Sequence, residues 1–377
     1  MLDNPTLKNC PLAVCGSTEE RHGIVLAKNE LAKKYGIVTA EATWQAKRKC
    51  PDLVIVPPDH KRYREVSRAV REIYLRYSDK VEPFGIDECW LDVTGSQLLF
   101  GSGEEIAERL RREIKKEIGV TISVGVSFNK VFAKLGSDLK KPDAVTVISR
   151  ENYKEKVWPL PADSIIGVGK NTKKQLESLG IFTIGDIASA GPQVLKNRLG
   201  KMGEQLFSFA NGDDSSPVTA EQPRPKSVGR TTTCREDLHS FEQVWPVILE
   251  LSEEIAATLR HEGLFCNSVQ AHIRTNDLIT REFQGPLHAP TQSSVAMAKK
   301  CMELMKSNFS FSAPLRSVGL RAINLTDSNS AYQTDIFFDA QNAVREEHIE
   351  DEIFAIRDRF GHDSIIRGAT VKKETTD

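Results

Sequence analysis

The sequence predicts an α+β chain of several domains, and three stretches predict it. In the first, Val81–Val93, two apolar, strand-like runs flank an adjacent acid pair, Asp87 and Glu88. Side chains alternate faces along a strand, so neighbouring carboxylates converge on one site only where the strand bends. Gly85 and Pro83 supply residues suited to such a bend. In the second, Val120 to Phe128 alternates apolar and polar residues and runs into a helix from Asn129 that stops before Pro142. In the third, the glycine-containing segment Ile166–Thr172 leads into one short helix, and Gly180–Ile187 starts another. Strands with helical cover on one face, followed by a helical segment, describe α+β architecture rather than a parallel α/β fold.

Composition narrows the function. The chain has 377 residues, which suggests two to four domains. It has a formal net charge of −1, so any contact with nucleic acid rests on local basic patches or backbone amides. No run of about 18 apolar residues is present to span a membrane. The N-terminus is polar from Asp3 onward, unlike a signal peptide. Seven cysteines lie scattered without CxxC spacing, which points to a reducing cytoplasm and away from disulfides or a zinc site.

Close carboxylates repel and are costly to desolvate, so such a pair usually needs a cation. Mg²⁺ suits it, because this ion prefers carboxylate oxygens and substrate phosphates. On these residues alone, an exposed hairpin turn with two surface acids accounts for the pair as well. The longer text decides more. GIDECWLDVT (residues 85–94) followed by GVSFNKVFAKLGSDLKKPDAVTVI (residues 125–148) resembles the palm of the Y-family, DinB-like translesion DNA polymerases. The resemblance implies a right-hand fold with fingers, palm and helix-hairpin-helix thumb, plus an α+β little finger. It also implies two Mg²⁺ ions, primer–template DNA and deoxynucleoside triphosphates as partners, and a monomer. Asp87 would bridge the metals, and Glu88 would complete the site of the metal on the primer hydroxyl.

Residues 1–59 read as a small α/β unit that resembles the fingers. Leu12–Gly16 and Gly23–Ala27 are short strands, Asn29–Tyr35 and Glu41–Lys49 are helices, and Leu53–Pro57 is a further strand. Lys33 stands where the family commonly has an arginine on the triphosphate, and Glu30 where many members have a tyrosine. A lysine serves phosphate as a point charge without the bidentate fork. A solvated helix face explains Lys33 equally well. Residues 60–161 read as the palm. Tyr63, Val66, Val70, Ile73, Tyr74 and Tyr77 form one helical stripe, and Ile106, Leu110, Ile114 and Ile118 another. With the hairpin and the alternating strand, these predict an antiparallel sheet covered on one face. Lys141, just before Pro142, corresponds to the family's triphosphate lysine. A basic last helical turn explains a lysine there too, though Lys140 would serve equally.

Residues 162–215 resemble the thumb. Gly167 and Gly169 let a phosphate approach the backbone beside Lys170, and such a contact ignores sequence. Residues 216–226, rich in Ser, Pro and charge, form a linker. Residues 227–327 read as helix (Phe241–His261), strand (Ser268–Arg274), helix (Val295–Ser307) and strand (Arg316–Ala322), and resemble the little finger. Arg230, Arg274 and Arg321 interrupt its strands. The resemblance implies that they lie along the DNA backbone, whereas a wet sheet face would also carry them. Residues 328–377 form a tail. Gln333, Ile336, Phe337 and Phe338 resemble the peptide by which such polymerases dock on the sliding clamp, and packing on the protein's own little finger is the other reading. Nothing in the sequence says what the helix Glu347–Phe360 packs on.

Family members open with a strand of the form hDxDxFFASVE, which carries another metal-binding Asp and the aromatic pair over the sugar. This sequence begins with text resembling the stretch just after that strand. Two expectations follow: an active polymerase whose start lies upstream, or a non-catalytic relative that binds DNA and the clamp.

Overall fold

The computed structural model describes residues 4–17, 23–221, 224–327 and 340–370. The chain forms two compact units, Met1–Lys8 with Asp59–Pro223, and Asn9–Pro58 with Arg224–Asp377. Within Asn9–Pro58, β1 (Leu12–Cys15) is the central strand. It pairs antiparallel with β2 (Val25–Lys28) and parallel with β3 (Val54–Val56). Asn29 caps α1 (Glu30–Lys34) by accepting from Ala32 N at 2.9 Å, and its amide also donates to Cys10 O at 2.8 Å. Helix α2 is Thr43–Lys49, two residues shorter at its start than the sequence predicts. Glu41 sits outside it, accepting from Lys49 Nζ at 2.5 Å and from Val38 N at 3.0 Å.

Next come α3 (His60–Leu75) and the hairpin of β4 (Val81–Pro83) and β5 (Cys89–Leu91), then α4 (Gln97–Phe100) and α5 (Gly103–Glu117). The stripes of α3 and α5 meet at Ile73, Ile106, Leu110 and Ile114, as their spacing predicts. Strand β6 (Val124–Ser127) is shorter than the alternation implied. Only these residues have a partner strand, β7 (Val145–Ile148), while Val120 and Ile122 pack on the α3–α5 core without a ladder. The expected single antiparallel sheet is also not what forms among the described residues. Strands β4 and β5 make one antiparallel pair, and β6 and β7 make a separate parallel pair. Parallel pairing needs a crossover, and α6 (Lys130–Leu139) supplies it. Gly125 lets α6 lie directly on β6, because a Cβ there would collide with the Ala133 carbonyl oxygen.

After α7 (Tyr153–Val157), four helices follow in quick succession: α8 (Lys170–Glu177), α9 (Ile184–Ser189), α10 (Pro192–Leu199) and α11 (Lys201–Ala210). Their core is continuous with α6: Val131, Phe132 and Leu135 bury against Ile165, Leu176, Ile184 and Leu206. The boundary expected near residue 162 is therefore bridged by packing.

From Arg224 onward, a four-stranded antiparallel sheet has the order β10-β9-β11-β8. Its elements are β8 (Ser227–Leu238), α12 (Phe241–Glu262), β9 (Leu264–Thr275), β10 (Thr280–Thr291), α13 (Ser294–Asn308) and β11 (Leu315–Asp327). The sequence reading misses β8 and β10, the two edge strands. Edges tolerate polar residues and proline, and β10 carries Pro286 and Pro290. Helices α12 and α13 cover one face with a core that includes Val244, Ile248, Ile273, Met297 and Val318.

The last helix, α14 (Ala340–Phe360), is held by buried charge rather than by an apolar stripe. Glu350, 7 % exposed, accepts from Ser294 N at 2.8 Å and Val295 N at 3.2 Å, at the start of α13. It also meets Arg367 at 3.0 Å and Arg260 at 3.4 Å. Glu253 on α12 takes Arg357 at 3.3 Å and Arg367 at 2.5 Å. Removing one member of such a network leaves charges buried without partners, which costs about 3–5 kcal/mol. Glu350→Ala should lower stability by that order and free α14 for proteolysis, read by denaturant unfolding and limited trypsin digestion. Unchanged unfolding and digestion would show that these ion pairs do not hold the helix.

Candidate active site and nucleic-acid interface

The acid pair sits in the five-residue turn Phe84–Glu88 between β4 and β5. The hairpin is in register, with Glu82 opposite Trp90, and Phe84 N donates to Glu88 O at 2.8 Å. Gly85 has φ +82°, a conformation that side chains disfavour, so the glycine makes the bend. Phe84 and Trp90 pack at 4.7 Å between ring centroids.

Helix α6 fixes this hairpin. Lys130 Nζ lies 2.6 Å from Glu82 Oε1 and 4.5 Å above the Trp90 ring, whose indole N–H donates back to Lys130 O at 3.0 Å. One turn on, Lys134 Nζ donates to Glu88 Oε1 at 2.9 Å and to Asp138 Oδ2 at 2.7 Å. Asp138 Oδ1 in turn receives Lys141 Nζ at 2.6 Å. The chain Glu88–Lys134–Asp138–Lys141 thus joins the acid pair to the lysine before Pro142. Burial alone would lower the Lys134 ammonium, but its bonds to Asp138 and Glu88 outweigh that and raise it. Burial would likewise raise Asp138, and the two lysines hold it below the usual carboxylate range instead.

The sequence picks out Asp87, Glu88 and Lys141. It does not pick out Lys134 or Asp138. Their four-residue spacing on a helix was a readable ion-pair signal, whereas the link to Glu88, 46 residues away, was not. Asp87 is exposed and Glu88 half-buried. Among the described residues no third Asp, Glu, His or Cys joins them in a metal-binding group. Two hard carboxylates still suit a divalent ion completed by water and other oxygen ligands. Lys33 lies on α1, exposed, 3.8 Å from Glu30.

In the helical segment, Gly167 has φ +94°, and Gly169 precedes α8 without a side-chain cap. A Cβ on Gly169 would meet nothing within 4 Å, so the fold itself does not demand a glycine there. Lys170 opens α8 and is exposed. The loop Ile166–Gly169 forms one wall of a cleft of about 410 Å³, and Lys134 and Asp138 line another part of it.

The sheet of β8–β11 sorts its arginines by face. Arg274 pairs across to Ser317, and Arg321 to Gln270, on the face away from α12 and α13. The Arg274 Nε is buried without a hydrogen-bond partner among the described residues. Arg230 is different: it sits opposite the buried Leu320, on the helix side, and its Nε donates to Glu254 of α12 at 3.0 Å. Gln333, Ile336, Phe337 and Phe338 lie outside the described residues. None of the seven cysteines is in a disulfide. Among the described residues, no helix is long and apolar enough to cross a membrane.

Comparison with known proteins agrees with this geometry. Residues 1–138 match the impB/mucB/samB family and residues 225–336 its C-terminal domain. Residues 163–214 match a family described as the DNA polymerase-iota thumb domain. The chain is 46 % identical to DNA polymerase IV of Acetivibrio thermocellus, over 97 % of this chain and 92 % of that one. It is 36 % identical to DNA polymerase IV 2 of Bacillus subtilis, over 98 % of this chain and 90 % of that one. A solved Y-family DNA polymerase chimera superposes with a TM-score of 0.78 at 25 % identity, over 86 % of this chain and 95 % of the chimera. Identity at this level along almost its whole length, with the shared fold, places the chain in the Y-family of DNA polymerases, of the DNA polymerase IV type.

Proposed function

We propose that the chain is a DNA-directed DNA polymerase that extends primers across damaged template. The observation that carries this reading is the acid-pair hairpin clamped to a lysine-bearing helix. Asp87 and Glu88 would hold two Mg²⁺ ions together with water and phosphate oxygens. When bound, these ions would favour the ionised primer hydroxyl and neutralise charge on the triphosphate. Lys141 binds the triphosphate as a point charge. Gly167, Gly169 and Lys170 receive a DNA phosphate at the start of α8. Arg274 and Arg321 lie along the backbone on the open sheet face, while Arg230, already paired, supports the fold.

The same reading assigns residues 1–59 to the fingers, 60–161 to the palm, 162–215 to the thumb and 227–327 to the little finger. The linker is 216–226. It makes the protein a cytoplasmic monomer that docks on a sliding clamp through Gln333, Ile336, Phe337 and Phe338.

Primer extension tests the central assignment. Asp87→Ala and Glu88→Ala should each abolish extension, a loss of several kcal/mol of transition-state stabilisation of the kind seen for lost electrostatic groups, and leave primer–template affinity intact. Wild-type turnover in either variant would refute the metal assignment. Extension absent from the unmutated chain even with Mn²⁺, beside intact DNA binding, would favour the non-catalytic reading.

The open face makes a separate prediction. Each phosphate contact contributes about −0.9 to the slope of log affinity against log salt. Arg274→Ala with Arg321→Ala should weaken binding alike on all sequences and flatten that slope by about 2. Arg230→Ala should leave the slope unchanged. An equal effect from Arg230→Ala would mean that the sheet face does not select the DNA-binding arginines.

A further inference from the structure

In the structure, one ammonium group stands where the acid pair needs positive charge. Lys134 Nζ is shared between Glu88 Oε1 at 2.9 Å and Asp138 Oδ2 at 2.7 Å. The lysine side chain is 21 % exposed, Glu88 34 % and Asp138 46 %, so the Glu88 contact is the more sheltered of the two. Sheltered pairs are screened less than exposed ones. Helix α6 sets where Lys134 stands, since its neighbours Val131, Phe132 and Leu135 are locked in the core. Lys134 can therefore choose between two carboxylates by a rotation of its own side chain, with no movement of the backbone.

A cation arriving at Asp87 and Glu88 must compete with Lys134 for Glu88. The ammonium is then repelled from Glu88, and Asp138, already its partner at 2.7 Å, retains it. Asp138 keeps its other oxygen on Lys141 at 2.6 Å, so the residue that retains the displaced charge also orients the lysine assigned to the triphosphate.

We propose that Lys134 is a positioning residue that holds Glu88 and yields it to an incoming cation while keeping its bond to Asp138. Lys134 then acts as a resident counter-charge that sets how readily the acid pair loads. This inference rests on the assignment of Asp87 and Glu88 as metal ligands.

The test is Mn²⁺ binding alone, followed by the electron paramagnetic resonance signal of free Mn²⁺ as ion is added to the full chain. Glu88→Gln establishes the underlying assignment: unchanged Mn²⁺ binding in that variant would refute the ligand role itself. Lys134→Met removes the competitor and should tighten Mn²⁺ binding by about threefold or more, a modest change in keeping with a partly exposed ion pair. Asp138→Asn removes the alternative acceptor, so Lys134 competes harder and binding should weaken. The double variant should match Lys134→Met, because Asp138 acts through Lys134. A merely structural role would move both single variants in one direction. That outcome, or an Asp138→Asn effect that persists without Lys134, would overturn the proposal. Thermal unfolding of each variant confirms that folded chains are compared.

Discussion

Two carboxylates side by side on a short turn repel each other, and Glu88, half-buried beside the exposed Asp87, has less water around it to screen that repulsion. Several residues of the unit Asp59–Pro223 answer that constraint. Gly85 bends the strand so that Asp87 and Glu88 come at a turn. Lys130 and Trp90 hold the two strands of the hairpin onto α6, and Lys134 brings positive charge to Glu88. For α6 to reach the hairpin at that depth it must lie flat on β6, which is why Gly125 and Gly136 face each other with no room for a side chain at Gly125. The same helix buries its other face among α8, α9 and α11, so the glycine loop before α8 and the acid pair are referred to one element.

A second electrostatic solution holds the opposite end of the chain. Glu253 and Glu350 are nearly buried, and Arg260, Arg357 and Arg367 surround them. Glu350 also takes the free N–H groups that begin α13, where negative charge is favoured. Apolar packing along α14 is sparse: Ile349, Ile356 and Phe360 are exposed, while Ile353 and Phe354 are half-buried and Phe354 packs on His261 at 5.0 Å between ring centroids. The helix is docked by charge, which explains why hydrophobic spacing gave no partner for it.

What was legible in the sequence was local. The turn, the cap at Asn129, the stripes of α3 and α5, and the glycine loop before α8 each depend on residues close together in the chain. Edge strands β8 and β10 were not legible, because an edge with proline and polar residues lacks the alternation that marks a strand. Nor was the parallel pairing of β6 and β7, since register is set by a partner 21 residues away. At the site, the acids and Lys141 stood out by motif. Lys134 and Asp138 read as an ordinary helical ion pair until the fold brought Glu88 beside them. The faces of Arg230 and Arg321 could not be told apart either, because neither edge nor register was known.

The central claim is that the acid pair is a cation site guarded by Lys134. A crystal of the chain soaked in Mn²⁺ tests it most directly, through anomalous scattering that locates the ion. The account predicts a peak coordinated by the carboxylates of Asp87 and Glu88, with Lys134 withdrawn from Glu88 and still bonded to Asp138. A peak bound elsewhere, or one at the acid pair with the Glu88–Lys134 contact intact, would contradict it.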